Sequence, residues 1–293
     1  MVRIDQSLIE ELNDKAYEIR VLALKSMAKG CVGHPGGSFS EAEVLAALYF
    51  HEMRLDPENP LWEGRDRFIL SKAHACPSLY AALALRGFFA PEECLTYGSL
   101  NSRLQGHPDM RKTPGIEISG GSLGQGLSIA CGMAWGLRKK GMFNHVYCVI
   151  GDGECQEGQI WEAAMSASHY RLDNLTVVMD YNKVQAKSYT YEAIGIEPAA
   201  GRWEAFGWQT AEIDGHDMNE ILQALYKARW INRTGKPTII ISHTVKGRGV
   251  DFMEFSPKWH THAPTGETAE EALEKLAERY GKPYERGRLE LWR

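Results

Sequence analysis

Between Val146 and Val184 an apolar run, Val146-Tyr147-Cys148-Val149-Ile150, breaks abruptly at Gly151-Asp152-Gly153. A helical segment follows through Gln159, Ile160, Trp161, Ala163, Ala164 and Met165. A second apolar run, Leu175-Thr176-Val177-Val178-Met179, then delivers Asp180-Tyr181-Asn182. Strand, turn, helix and strand in this order set two strands side by side and parallel. The Asp152 carboxylate and the Asn182 amide then leave the same carboxyl edge of a sheet, where open α/β sheets bind their ligands. A divalent metal and a diphosphate are the expected occupants.

Length and charge narrow the class. A chain of 293 residues is long enough for one large α/β domain. The formal charge of −5 gives no reason to expect a nucleic-acid partner, and no apolar run approaches a membrane span. The start, Met1-Val2-Arg3-Ile4-Asp5, is acidic too early for a signal peptide. Cys31, Cys76, Cys94, Cys131, Cys148 and Cys155 show no CxxC pair, so reduced thiols in a cytoplasmic protein are expected.

Around this unit the chain reads as one α/β domain over residues 1–293, a mostly parallel sheet with helices on both faces. Leu8, Leu12, Ala16, Ile19, Ala23 and Met27 recur at helical spacing, and Gly30 ends that helix. Cys31 to Ser38 is rich in Gly and Pro and reads as a loop, after which Ser40 and Glu43 form a capping box for a helix through Phe50. Arg67 to Leu70 is a short strand running into Ser71-Lys72-Ala73-His74, and Pro77 suits the first turn of a helix through Leu85. Ile116 to Ile118 reads as another short strand, before Gly120 to Gly126 opens a helix from Leu127 to about Lys140. Gln185 to Gly201 reads as irregular. Asp217 and Glu220 cap a helix through Trp230, and Thr238 to Ser242 is a further parallel strand leading to Lys246. Thr268 and Glu271 cap a last helix, a helical tail from about 268 to near Tyr280.

Several motifs carry chemistry. Magnesium takes oxygen ligands octahedrally and shares them with substrate phosphates, so a carboxylate, an amide oxygen, a backbone carbonyl and two phosphate oxygens would nearly complete its sphere. Gly151 and Gly153 permit close approach of backbone to phosphate. A Gly-Asp-Gly turn alone is commonly just a turn; Asn182 at the end of the next strand favours the metal. Gly120 to Gly126 is either an anion loop at a helix amino end or a site of close helix packing. His34, His74, His107 and His260 sit in loops, where imidazoles can move protons at sugar hydroxyls or hold phosphate. His216 reads as turn and capping chemistry, and His51, His145, His169 and His243 as structural. Lys246, between a buried strand and Gly247, either reaches an anion or is a solvated loop lysine.

Together these pieces resemble transketolase, specifically its amino-terminal, diphosphate-binding half. In family order the chain carries GHPGGS at Gly33, SKAHACPSLY at Ser71, GHPD at Gly106, GGSLGQGLSIACG at Gly120 and GDGECQEGQIWEA at Gly151. DYNKVQ at Asp180, DGHD at Asp214, KGRGV at Lys246 and WH with a following AP at Trp259 complete the set. The resemblance implies the thiamine diphosphate-binding (PP-type) fold. It implies Mg²⁺, with Ca²⁺ or Mn²⁺ as substitutes, on Asp152, Asn182 and the backbone carbonyl of Val184. It implies thiamine diphosphate contacts from His74, Gly121, Ser122, Leu123, Gly153, Asn182, Lys246 and His260. His34, His107 and His260 would touch the sugar, with His262 an alternative to His260, and Glu157 would face across a subunit interface. The expected activity is ketol transfer between sugar phosphates in carbohydrate metabolism of the pentose phosphate kind. A partner chain carrying the pyrimidine-binding domain would complete it, as an α2β2 assembly of a split transketolase. The α subunit of a 2-oxo acid dehydrogenase, which shares the GDG logic, and a non-catalytic relative that binds the cofactor are the alternatives.

Overall fold

The computed structural model describes residues 3–232 and 234–287. The chain begins with α1 (Gln6–Gly30), capped by Asp5, whose carboxylate accepts the Ser7 amide at 3.1 Å. Two short helices follow, α2 (Pro35–Ser40) and α3 (Ala42–Ala47), continued by a π-helical turn over Leu48–Glu52. Strand β1 (Arg67–Leu70) leads into α4 (Cys76–Arg86), with Pro77 in its first turn. Then come α5 (Gln125–Lys139), β2 (Val146–Gly151), α6 (Gly158–His169) and β3 (Leu175–Tyr181). The remaining elements are α7 (Thr190–Ala193), α8 (Ala199–Ala205), β4 (Gln209–Asp214), α9 (Met218–Tyr226), β5 (Thr238–His243) and α10 (Gly266–Arg279).

All five strands are parallel, in the order β1-β2-β3-β5-β4. Strand side chains alternate between faces, and here both faces are apolar. Phe68, Leu70, Tyr147, Val149, Val178 and Ile240 pack into one core with α1, α3, α4, α9 and α10. Ile69, Val146, Cys148, Ile150, Val177, Met179, Ile239 and Ile241 pack into the other with α5, α6 and Trp203 of α8. Helices therefore cover both faces, as expected, and every strand ends at one edge. None of the described helices is long and apolar enough to cross a membrane.

Four local expectations are corrected. The Gly-Pro segment after Gly33 is not a loop throughout: α2 begins at Pro35, whose fixed backbone suits a first helical turn. Ser40 and Glu43 form no capping box, because the Ser40 hydroxyl donates to Asp180 at 2.6 Å and Glu43 pairs with Arg20 at 2.5 Å. Ile116 to Ile118 pairs with no strand. The last helix starts at Gly266 with Thr265 before it, so Thr268 lies inside it. The irregular reading of Gln185 to Gly201 also missed α7 and the start of α8, and edge strand β4 went unread because its residues are mostly part-exposed.

Candidate functional site

The register of β2 on β3 places Gly151 opposite Asp180, so the loops after both strands leave side by side. Four strand ends meet there. β1 delivers Lys72 and His74, β2 delivers Asp152 and Gly153, β3 delivers Asn182 and Val184, and β5 delivers Lys246. They line a cavity of about 270 Å³ together with Leu123, Glu157 and His260.

Asp152 is buried and its carboxylate is pinned by backbone. Oδ1 accepts the Gly153 amide at 2.7 Å and Oδ2 the Lys183 amide at 2.5 Å. Burial, with the Asp180 charge behind it, pushes its pKa up to about 6. The Asn182 amide nitrogen donates to Asp180 at 2.8 Å, which fixes the flip, and its oxygen accepts the Val184 amide at 3.0 Å. The Val184 carbonyl faces Lys246, whose ammonium donates to it at 2.8 Å. Lys246 is buried, and among the described residues no carboxylate stands within ion-pairing distance of it. Burial lowers its pKa to about 8, although Asp180 pulls the other way.

Gly36 makes room for this lysine. A Cβ there would stand 2.9 Å from the Lys246 Cγ and 3.0 Å from the Trp259 carbonyl oxygen, closer than packed atoms allow. The Gly247 amide donates to the Gly36 carbonyl at 3.0 Å, so α2 and the loop after β5 are joined at this point.

His34, His74 and His260 form a triangle with ring centroids 5.0, 5.1 and 5.4 Å apart. Burial lowers the pKa of His34 to about 4, with help from His107 and Lys246, and that of His260 to about 3; His74 falls well below the ordinary value for the same reason. All three are neutral near pH 7. His262 lies outside the triangle, exposed and hydrogen-bonded to the Lys258 carbonyl at 2.9 Å. His107 sits against Gly121, and neither they nor Ser122 line the cavity. Glu157 is exposed at the amino end of α6, beside Gly124.

Sequence reasoning missed the charges beneath the cavity. Lys72 Nζ lies 2.6 Å from Asp180 and 2.9 Å from Glu41, and donates to the Gly37 carbonyl at 2.8 Å. Burial works against the Lys72 charge, but Asp180 and Glu41 outweigh it and hold its pKa above the ordinary value. Burial pushes Glu41 up to about 7 against the pull of Lys72. Asp180 also accepts from Ser40, Asn182 and Thr244, so one carboxylate ties α2 to the ends of β3 and β5. Glu154 does the same for the glycine-rich loop, accepting from Ser71 at 2.5 Å, Gly124 at 2.7 Å and Gly151 at 3.0 Å. Lys72 beside His74, and Asp180 beside Asn182, were the available signals.

The residues fit a metal diphosphate. Asp152, Asn182 and the Val184 carbonyl offer hard oxygen ligands in one cavity, and a cation held by them would offset the burial cost of Asp152. An anion beside them would satisfy the buried ammonium of Lys246. Nδ1 of His34 and Nδ1 of His260 are buried with no hydrogen-bond partner among the described residues, and a ligand with hydroxyl or phosphate groups would supply one.

A family model described as the thiamine diphosphate binding domain of transketolase matches residues 12–286. A 6-deoxy-6-sulfo-D-fructose transketolase subunit from a Clostridium species is 47% identical, over 91% of this chain and 96% of its own. An apulose-4-phosphate transketolase subunit from Phocaeicola vulgatus is 40% identical, over 94% and 96%. Human transketolase is 38% identical over 93% of this chain, which spans only 43% of that protein. The crystal structure of Campylobacter jejuni transketolase superposes with a TM-score of 0.86 at 32% identity, covering 95% of this chain and 43% of that one.

Proposed function

The chain belongs to the transketolase family, matching its thiamine diphosphate-binding domain, and from that premise we propose that it forms the metal and diphosphate half of a two-chain transketolase. One observation carries this reading. A single cavity gathers His74, Leu123, Asp152, Asn182, Val184, Lys246 and His260, residues that the sequence scatters over four strand ends and two loops.

Asp152, Asn182 and the Val184 carbonyl would hold Mg²⁺. Lys246 and His74 would face the diphosphate, with Gly121, Ser122, Leu123 and Gly153 as backbone contacts. The chemistry that thiamine diphosphate supplies when bound is storage of a two-carbon ketol unit between a ketose donor and an aldose acceptor. The protein's own part is placement and proton handling. Neutral imidazoles at His34 and His260 each present one donor and one acceptor, so they can take or give a proton at a sugar hydroxyl without first losing a charge. His107 would approach the sugar from the side of Gly121. Glu157, exposed at the cavity rim, would face a second chain.

Two relatives that this chain covers almost end to end are named as subunits, which supports a separate partner chain; that partner would carry the pyrimidine-binding domain, in an α2β2 assembly. The same relatives are named for sugars bearing a sulfo or a phosphate group, so an anionic ketose is the proposed donor. Residues 1–293 are read as one domain. Six free cysteines, five of them buried, accord with a cytoplasmic setting. The family match sets aside the 2-oxo acid dehydrogenase alternative.

The test is reconstitution. With Mg²⁺ and thiamine diphosphate, the full chain alone should give no ketol transfer, and addition of its partner chain should restore it. Transfer by the chain alone would sink the two-chain reading. Activity of the pair that is unchanged by His34→Ala and His260→Ala would remove the proton-handling roles.

A further inference from the structure

The turn Asp214-Gly215-His216-Asp217 has no part in the function proposed above. Asp217 caps α9 as the sequence suggested, accepting the Asn219 and Glu220 amides at 2.8 and 3.1 Å. His216 does something else. Its Nε2 accepts the backbone N–H of Val245 at 2.8 Å, and its Nδ1 lies 3.1 Å from Oε2 of Glu43. A backbone amide can only donate, so Nε2 carries no proton. The imidazole is therefore neutral, with its proton on Nδ1 and donated to Glu43.

The carboxylate that sets this tautomer is itself held. Arg20 donates to Glu43 at 2.5 Å, and the side chains of Arg20, Glu43 and His216 are 0%, 4% and 6% exposed. The same guanidinium donates to the Phe39 carbonyl at 2.7 and 3.0 Å. Phe39 lies in α2, the helix whose Gly36 accommodates the Lys246 side chain. One arginine thus orients the histidine that grips the Val245 main chain, one residue before Lys246, and fixes the helix past which the Lys246 side chain runs. On either side of Val245, Thr244 is tied to Asp180 and the Gly247 amide to Gly36, so consecutive residues of this loop are anchored.

We propose that His216 is a positioning residue for Lys246: oriented by Glu43 and Arg20, it fixes the main chain at Val245 so that the next side chain enters the cavity with its ammonium at the Val184 carbonyl. The effect on cofactor binding rests on the reading of Lys246 as a diphosphate contact; the effect on the loop does not.

Three variants of the full chain separate positioning from mere packing. In His216→Gln the amide oxygen can reach the place of Nε2 and still accept from Val245. In His216→Asn the shorter amide can serve Glu43 but falls short of Val245. His216→Ala serves neither. Hydrogen exchange at the Val245 amide should stay near wild type in the Gln variant and speed up by about tenfold or more in Asn and Ala. Calorimetric affinity for thiamine diphosphate with Mg²⁺ should follow the same order, falling about tenfold in Asn, while the Gln and Asn proteins melt at similar temperatures. In wild type, ¹⁵N spectra should show a protonated Nδ1 and a bare Nε2 on His216. Wild-type exchange in all three variants, or equal losses in Gln and Asn, would overturn the proposal. If wild type fails to bind the cofactor, the diphosphate reading fails, and the exchange order still decides the positioning role.

Discussion

The ammonium of Lys246 lies 2.8 Å from the carbonyl oxygen of Val184, which sets a buried cation against a proposed metal ligand. That oxygen cannot fully serve both. Binding of a metal diphosphate would move the ammonium's hydrogen bond from the carbonyl to a phosphate oxygen, a stronger, charge-assisted partner.

Lys246→Met keeps most of the side-chain volume and deletes the charge. Hydrogen bonds to charged groups contribute about 1.5–3 kcal/mol, so affinity for Mg²⁺ and thiamine diphosphate should fall by about ten- to a hundredfold. The melting temperature of the free chain should not fall, because the charge it loses is buried with no carboxylate in ion-pairing distance among the described residues. Calorimetry and a thermal melt on the same sample check both halves.

The pH dependence follows from two shifted groups. Asp152, raised to about 6 by burial and Asp180, must be ionised to hold a cation. Lys246, lowered to about 8 by burial, must be protonated to face an anion. Affinity should be flat between about 6 and 8 and fall on either side by up to about tenfold per pH unit. In Lys246→Met the alkaline fall should vanish and the acid fall remain. For stability of the free chain the sign is opposite on the alkaline side. The folded protein sheds the Lys246 proton before the unfolded one does, so the Lys246 contribution rises from about pH 8 toward the ordinary lysine range.

Lys72→Met should be strongly destabilising. It leaves Asp180 and Glu41 buried without their cation, and breaking a buried pair from one side costs about 3–5 kcal/mol. Adding Glu41→Gln should recover part of the loss, since it removes one of the two stranded carboxylates. Urea unfolding of the single and double variants measures the difference.

Glu154→Ala removes the acceptor for Ser71, Gly124 and Gly151 at once. With those donors left buried, stability should drop by about 2–4 kcal/mol. Gly124 has a left-handed φ of 83° and a Cβ there would stand 2.9 Å from the Glu157 Cβ, so the loop has little room to relax. Faster proteolysis between Gly120 and Gly126 would accompany the loss; an unchanged urea midpoint would contradict it.

The strands that end on Asp152 and Asn182 were legible because both are buried on two faces, and an unbroken apolar run followed by a turn is a local signal. The edge strand β4 lacked it, since Gln209, Thr210, Ala211 and Glu212 are part-exposed or exposed and give neither an apolar run nor clean alternation. Helix α2 was hidden by its own Gly36 and Gly37, poor helix formers, of which Gly36 is required by the Lys246 side chain that passes beside it. Lys72, Asp180 and Glu41 act only as a set, and Lys72 and Asp180 are 108 residues apart, so no window of sequence could pair them. His216 was read as a turn residue for the same reason: its partners, Glu43 and Val245, lie 173 and 29 residues away.

In the proposed site Asp152 anchors a divalent cation, which in turn holds the diphosphate. Isothermal calorimetry of the full chain with thiamine diphosphate, with and without Mg²⁺, in wild type and in Asp152→Ala, tests it most directly. Wild type should bind the cofactor only when Mg²⁺ is present, and Asp152→Ala should lose that metal-dependent binding. Equal binding by the two proteins, or binding by wild type that is indifferent to Mg²⁺, would contradict it.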